Sequence, residues 1–172
     1  MPAATCIFCH QPKAALSCGA CLEPVCKGCV LRLDGEALRL RAEKPAALSH
    51  SAYCPICYDR HVSPALTEYE TTLARAREAC VWSRNYRGHI PVLKKARKQV
   101  EAKDFADKDE LVLQLAFRAS EMGFNALTDT EITSRKSRVN GYQKRLWSGS
   151  ALPVLVDEEK LSREEFREAM HT

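Results

Sequence analysis

Eight of the nine cysteines in this 172-residue chain fall into four Cys-x-x-Cys pairs: Cys6/Cys9, Cys18/Cys21, Cys26/Cys29 and Cys54/Cys57. Eight, four and twenty-four residues separate successive pairs. Each pair can form a knuckle, a tight turn that points two thiolates at one metal ion. Two knuckles complete a tetrahedral all-sulfur shell, a donor set that favours zinc. Eight thiolates therefore make two closed sites.

Only four residues join the second pair to the third, too few for both to face one ion comfortably. That connection suits an interleaved arrangement. Cys6, Cys9, Cys26 and Cys29 would then hold the first zinc, and Cys18, Cys21, Cys54 and Cys57 the second. A sequential pairing, first with second and third with fourth, stays open. Disulfides, a thioredoxin-like redox pair and iron–sulfur ligation are the competing uses of such cysteines. Four pairs in one short segment without a βαβ pattern argue against the redox pair, and the spacings differ from the usual cluster motifs. His10 and His50 are expected at the surface or behind the ligands.

The pattern C-x2-C, C-x2-C-x4-C-x2-C, C-x2-C resembles the cross-brace (treble-clef) zinc fingers of the FYVE, PHD and RING superfamily, FYVE most of all. "CGACLEPVCKGCV" is similar to the centre of a FYVE finger, and "YCPICYDRHV" to its closing knuckle and C-terminal helix. The resemblance covers about residues 4–64 and implies two structural zinc ions. Lipid-binding FYVE fingers carry a basic, histidine-rich cluster leading into the second pair. Here Ala14, Ala15, Leu16, Ser17, Cys18 and Gly19 stand there, so lipid binding is not carried over. "CPIC" at 54–57 matches the closing knuckle of RING fingers, and Pro55 then suggests a ubiquitin-ligase-like reading. RING second pairs, however, normally mix Cys with His.

Between the third and fourth pairs, "VLRLDGEALRLRAEK" alternates apolar and polar residues about Asp34-Gly35. It predicts a hairpin lined by Arg32, Arg39 and Arg41. "SPALTEYETTLARAREAC" predicts a linking helix with Ser63 as N-cap, Pro64 at its first position, and Leu66, Tyr69, Leu73, Ala76 and Cys80 on its apolar side. Cys80 reads as a buried structural thiol. "CVWSRNY" predicts a strand, "PVLKKARKQVEA" a helix within 91–103, and "DKDELVLQLAFRASEMG" a second helix. The second helix has Leu111, Leu115, Ala119 and Met122 inward and Gly123 at its stop. Asn140-Gly141 marks a hairpin. In the tail 157–172, Ser162 and Glu165 form a capping box, with Phe166 and Met170 as an apolar stripe.

The fold class expected is α+β: a double-zinc finger (1–63), a linking helix (64–80), a small domain with an antiparallel sheet (81–156) and a helical tail (157–172). Residues 80–156 also resemble YbjQ-type bacterial domains through "WSRNYRG", "AFRASEMGFNAL" and "RLWSGSALPV". Those domains are known for ring-like oligomers, which implies a homo-oligomer; their metal-binding label is not carried over, because no His, Cys or carboxylate cluster stands here.

The net charge of +4 is mild. No apolar run is long enough to span a bilayer, and "MPAATCIFCHQPK" lacks the charged and apolar regions of a secretory signal. A cytoplasmic location follows as the expectation. No phosphate-cradling glycine loop, nucleophile elbow or open metal site is found, so the chain reads as a non-enzyme. A zinc-binding adaptor with a protein partner fits best. The alternative is nucleic-acid binding through the basic hairpin 135–145 (Arg135, Lys136, Arg138, Lys144, Arg145, with Tyr142 and Trp147 to stack) and the basic helix 91–103.

Overall fold

A computed structural model describes residues 4–139 and 142–162, and the chain divides into two compact units at the boundary between Thr71 and Thr72. In the first unit the strands are short. β1 (Ala14–Ser17) pairs antiparallel with β2 (Pro24–Cys26), and β3 (Leu31–Arg32) with β4 (Ala52–Tyr53). Val25, Leu33, Leu38, Leu48, Tyr53 and Val62 form an apolar interior shared with the buried Cys6 and Cys18.

Asp34-Gly35 does not turn a hairpin. The Asp34 side chain accepts from the Glu36 N–H, and bonds from Ala37 to Asp34, Arg39 to Glu36 and Arg41 to Leu38 wind the chain into successive tight turns. This winding buries Leu33, Leu38 and Leu40, which a flat two-stranded ribbon would leave half wet. Arg41 pairs with Glu68 at 2.8 Å instead of lining a ribbon.

The helix after the fourth pair starts earlier than expected. Cys54 is its N-cap and Pro55 its first residue. α1 (Pro55–Cys57) continues through a wider turn, Tyr58–Val62, into α2 (Ser63–Glu78). Ser63 is therefore helical interior (φ −56°, ψ −47°) and not a cap. Tyr69 and Ala76 are buried as predicted, whereas Cys80 lies past the helix, opens a strand and is half-buried, not buried, against Ala126, Val154 and Val156.

The second unit is built from β5 (Cys80–Ser83), β6 (Val92–Lys95), β7 (Val100–Phe105), α3 (Lys108–Glu121), β8 (Ala126–Val139) and β9 (Tyr142–Val156). The sheet runs β5-β8-β9-β6, with β7 also on β9. It is mixed, because β5 pairs parallel with β8 while the other pairs are antiparallel.

The helix expected within 91–103 is two strands. Val100 and Ala102 are buried while Glu101 and Lys103 are exposed, the two-residue period of a half-buried strand. Pairing with the long β9 satisfies that backbone and overrides the helix-forming lysines and arginines.

α3 follows the sequence more closely. Asp107 caps its N-terminus by accepting from the N–H groups of Asp109 and Glu110 at 2.7 and 2.9 Å. Gly123, at φ 81°, ends it in the left-handed conformation that only glycine adopts freely. Leu111, Leu115 and Ala119 are buried against β7, β8 and β9, but Met122 is exposed because the helix has already ended.

Asn140-Gly141 lies outside the described residues. The strands on either side stay in register up to Val139 opposite Tyr142. Asp157 begins a helical turn over 158–162 by accepting from the Lys160 N–H, and Leu161 packs against Ala126, Val154 and Val156. Glu165, Phe166 and Met170 lie outside the described residues. Among the described residues, no helix is long and apolar enough to cross a membrane.

Candidate metal centres

The fold gathers the eight paired cysteines into two groups. Cys6, Cys9, Cys26 and Cys29 form one, and Cys18, Cys21, Cys54 and Cys57 the other, with all sulfurs of a group within 4.8 Å of one another. This is the interleaved arrangement.

The topology explains it. The antiparallel β1–β2 pair brings the start of its hairpin beside Cys6: the Ile7 N–H donates to Pro24 O, and the Cys26 N–H donates to Cys6 Sγ at 3.4 Å. Cys18 and Cys21 sit at the far end of that hairpin. The β3–β4 pair delivers Cys54 and Cys57 there on the first turn of the helix.

A tetrahedral tetrathiolate zinc with bonds near 2.3 Å requires sulfurs about 3.8 Å apart. Cys9 and Cys26 stand 3.7 Å apart, and Cys21 and Cys54 4.0 Å. Both groups can hold a metal ion, and their spacing and all-sulfur chemistry are consistent with zinc and with a cross-brace finger.

The electrostatics of the thiols also fit a cation. The Cys9 N–H, supported by those of Cys26 and Phe8, outweighs burial and brings the Cys6 thiol down to about 6. At Cys18 burial pushes upward, but the N–H groups of Cys21, Cys54 and Ala20 overcome it, again reaching about 6. The opposite partners are held protonated. Cys29 rises to about 12 through its contact with the Cys26 sulfur and through burial. Cys57 rises to about 12 through burial and the neighbouring Cys54 and Cys21 sulfurs. Crowded sulfurs cannot all ionise against their mutual repulsion. A divalent cation would remove that obstacle and displace the remaining protons.

His10 and His50 are both exposed and belong to neither group. His50 nevertheless packs against the second knuckle, a contact that no local sequence pattern signals. A Cβ on Gly19 would meet the His50 Cβ, Cγ and Cδ2 at 2.2, 2.4 and 2.8 Å, so the residue after Cys18 must be glycine for His50 to cover that knuckle. The Gly19 N–H donates to Ala52 O and the His50 N–H to the Tyr53 hydroxyl, tying the knuckle to β4.

Sequence reasoning also passed over the apolar residues inside or just after the knuckles. Ile7 and Phe8, between the first two ligand positions, are 39% and 51% exposed, Leu22 is 75% exposed, and Ile56 is 54% exposed. Their signal was the composition of C-I-F-C, C-L and C-P-I-C, apolar at positions a solvated turn would fill with polar residues.

No protein-family model matches the sequence, and no curated protein matches it. Among solved structures, the chain is similar to a protein of unknown function of the DUF74 family from Pediococcus pentosaceus. The match has 17% identity and a TM-score of 0.30, covering 46% of this chain and 98% of that one.

Proposed function

We propose that this protein is a zinc-binding interaction module. In this reading, two structural zinc ions held by Cys6, Cys9, Cys26 and Cys29 and by Cys18, Cys21, Cys54 and Cys57 fold a FYVE-like finger, and the finger presents a surface to a protein partner. The observation that carries it is the interleaving of two complete sulfur sets, each of four thiols at metal-ligand spacing. Four sulfur ligands close each shell, leaving no position for water or substrate, so the metal's role is structural.

The surface side rests on exposed apolar residues. Ile7, Phe8, Leu22, Leu31 and Ile56 belong to the first unit and stand on or beside its knuckles. Side chains of this kind in rigid, metal-held turns are suited to partner contact, since little entropy is lost when they are buried.

Native mass spectrometry of protein purified without added metal tests the zinc reading. Two zinc ions per chain are expected, and a single zinc or bound iron would overturn it. Paired Phe8→Asp and Leu22→Asp substitutions should keep both zinc ions and abolish partner capture. Capture that survives them would move the partner surface elsewhere.

A further inference from the structure

The pairing of the second unit's sheet is uneven along its length. β5 meets β8 only from Ala126 to Thr130, and β7 meets β9 only from Ala151 to Trp147. β8 and β9 continue together to Val139 opposite Tyr142. Past Ser134 and Trp147 the described strands pair only with each other, so they leave the sheet as a two-stranded arm with both edges open.

The arm's charge is one-signed. From Ile132 to Val156 there is no Asp or Glu, while Arg135, Lys136, Arg138, Lys144 and Arg145 all fall there. The register separates them by face, because alternate residues point to the same side. Ile132 opposite Gly149, Ser134 opposite Trp147, Lys136 opposite Arg145 and Arg138 opposite Gln143 share one face.

That face is the one α3 covers at the root, where Leu111 and Ile132 crowd Gly149. Beyond the helix it carries Lys136, Arg138 and Arg145, and the Arg145 guanidinium lies 5.7 Å above the Trp147 ring. The other face is partly neutralised. Asp104, thrown out of β7 by a bulge at φ 65°, takes Arg135 at 2.7 and 3.1 Å.

We propose that this arm is a DNA-binding ribbon that seats against the major groove of duplex DNA, with Lys136, Arg138 and Arg145 neutralising phosphates along its walls. The groove, about 12 Å wide, admits a two-stranded β-ribbon. Same-face residues two apart along a strand lie about 6.7 Å from one another, and cross-strand neighbours about 5 Å, so three cations meet the backbone together. Phosphate contact of this kind is independent of sequence and releases counterions. Edge protection by lysine explains charge on an open strand. It does not explain why three cations gather on the face continuous with the helix-covered side while the opposite face is tied to Asp104. The inference goes beyond the zinc reading and does not rest on it.

The test is fluorescence anisotropy of the full zinc-loaded chain with a short duplex of arbitrary sequence across a salt series. The logarithm of affinity should fall linearly with the logarithm of salt concentration, with a slope of about −3 to −5. Replacing Lys136→Gln, Arg138→Gln and Arg145→Gln together should weaken binding at low salt about tenfold or more and flatten the slope by about 3. Retained zinc content and an unchanged circular dichroism spectrum will show that the fold is intact. Arg135→Gln with Lys144→Gln should cost much less. Absence of binding at low salt, an undiminished triple variant, an equal loss from the opposite-face pair, or tighter binding to phosphatidylserine vesicles than to the duplex would each overturn the proposal.

Discussion

In the first unit the longest described strand has four residues, and two of its fully buried side chains are cysteines, Cys6 and Cys18. In the second, strands of 14 and 15 residues and a 14-residue helix enclose Leu111, Leu115, Phe117, Leu127 and Val154, with no cysteine among its fully buried residues. One unit spends its buried positions on sulfur; the other spends them on hydrocarbon. A short chain that builds only two- to four-residue strands gains little from backbone pairing or apolar burial, and metal–thiolate bonds can replace both. A single helix laid across long strands needs no such help.

Removing the metal breaks this comparison most severely. Chelation, or Cys26→Ser, is expected to unfold residues 1–71 while the sheet of the second unit persists. Structural zinc in small modules contributes roughly 10–16 kcal/mol, more than such a unit's whole stability. Amide hydrogen exchange reads each unit separately; simultaneous loss of protection in β8 and β9 would show that the two are one cooperative body.

The converse change is Leu115→Ala. This fully buried residue of α3 should cost the second unit about 2–5 kcal/mol and leave the zinc content unaltered. Zinc loss in that variant would contradict the division.

Gly19→Ala sharpens the comparison within the first unit, since it tests packing and not ligation. The added methyl must displace His50 and should cost about 1–3 kcal/mol. Competition with a chromogenic chelator should find the Cys18 site weakened more than the Cys6 site. Because the closest clash is with the His50 Cβ, which alanine would keep, a second change, His50→Gly, should restore much of the loss, whereas failure of that rescue would place the strain elsewhere.

The smallest effect is electrostatic and belongs to the second unit. The Lys160 N–H, with its ammonium group 3.4 Å away, holds the Asp157 carboxyl below the usual carboxylate range. A depressed folded-state value means that the stabilisation is present above the unfolded value and is lost as pH falls through the folded one. The turn over 158–162 should therefore loosen only in acid, and Asp157→Asn should remove that dependence. An NMR titration of the Lys160 and Leu161 amides reads both.

How much of this was legible depended on the range of the interaction. The knuckles, the Asp107 cap and the Gly123 stop of α3 are written within a few residues, because ligand spacing, capping and left-handed backbone are local requirements. The lysines and arginines of the segment 91–103 favour a helix locally, while its strands are stabilised by partners on β9 about fifty to sixty residues away, such as Ala151 for Val100 and Val156 for Val92. Asp34-Gly35 carries a hairpin dipeptide, but burying Leu38 and Leu40 outweighed the turn preference. Ser63 and Pro64 look like a helix start only until one sees that Cys54 and Pro55 have already started it.

The sequence by itself determined that eight thiols come in four knuckles, that a helix spans 108–121, and that a basic segment without acids flanks a turn. Each of these follows from composition and short-range geometry. The tertiary structure decided which knuckles meet, because only the β1–β2 and β3–β4 pairings bring Cys26 to Cys6 and Cys54 to Cys21. It also decided which basic residues share a face, since that depends on the register of β8 against β9 and on where the other strands stop, neither of which any local stretch encodes.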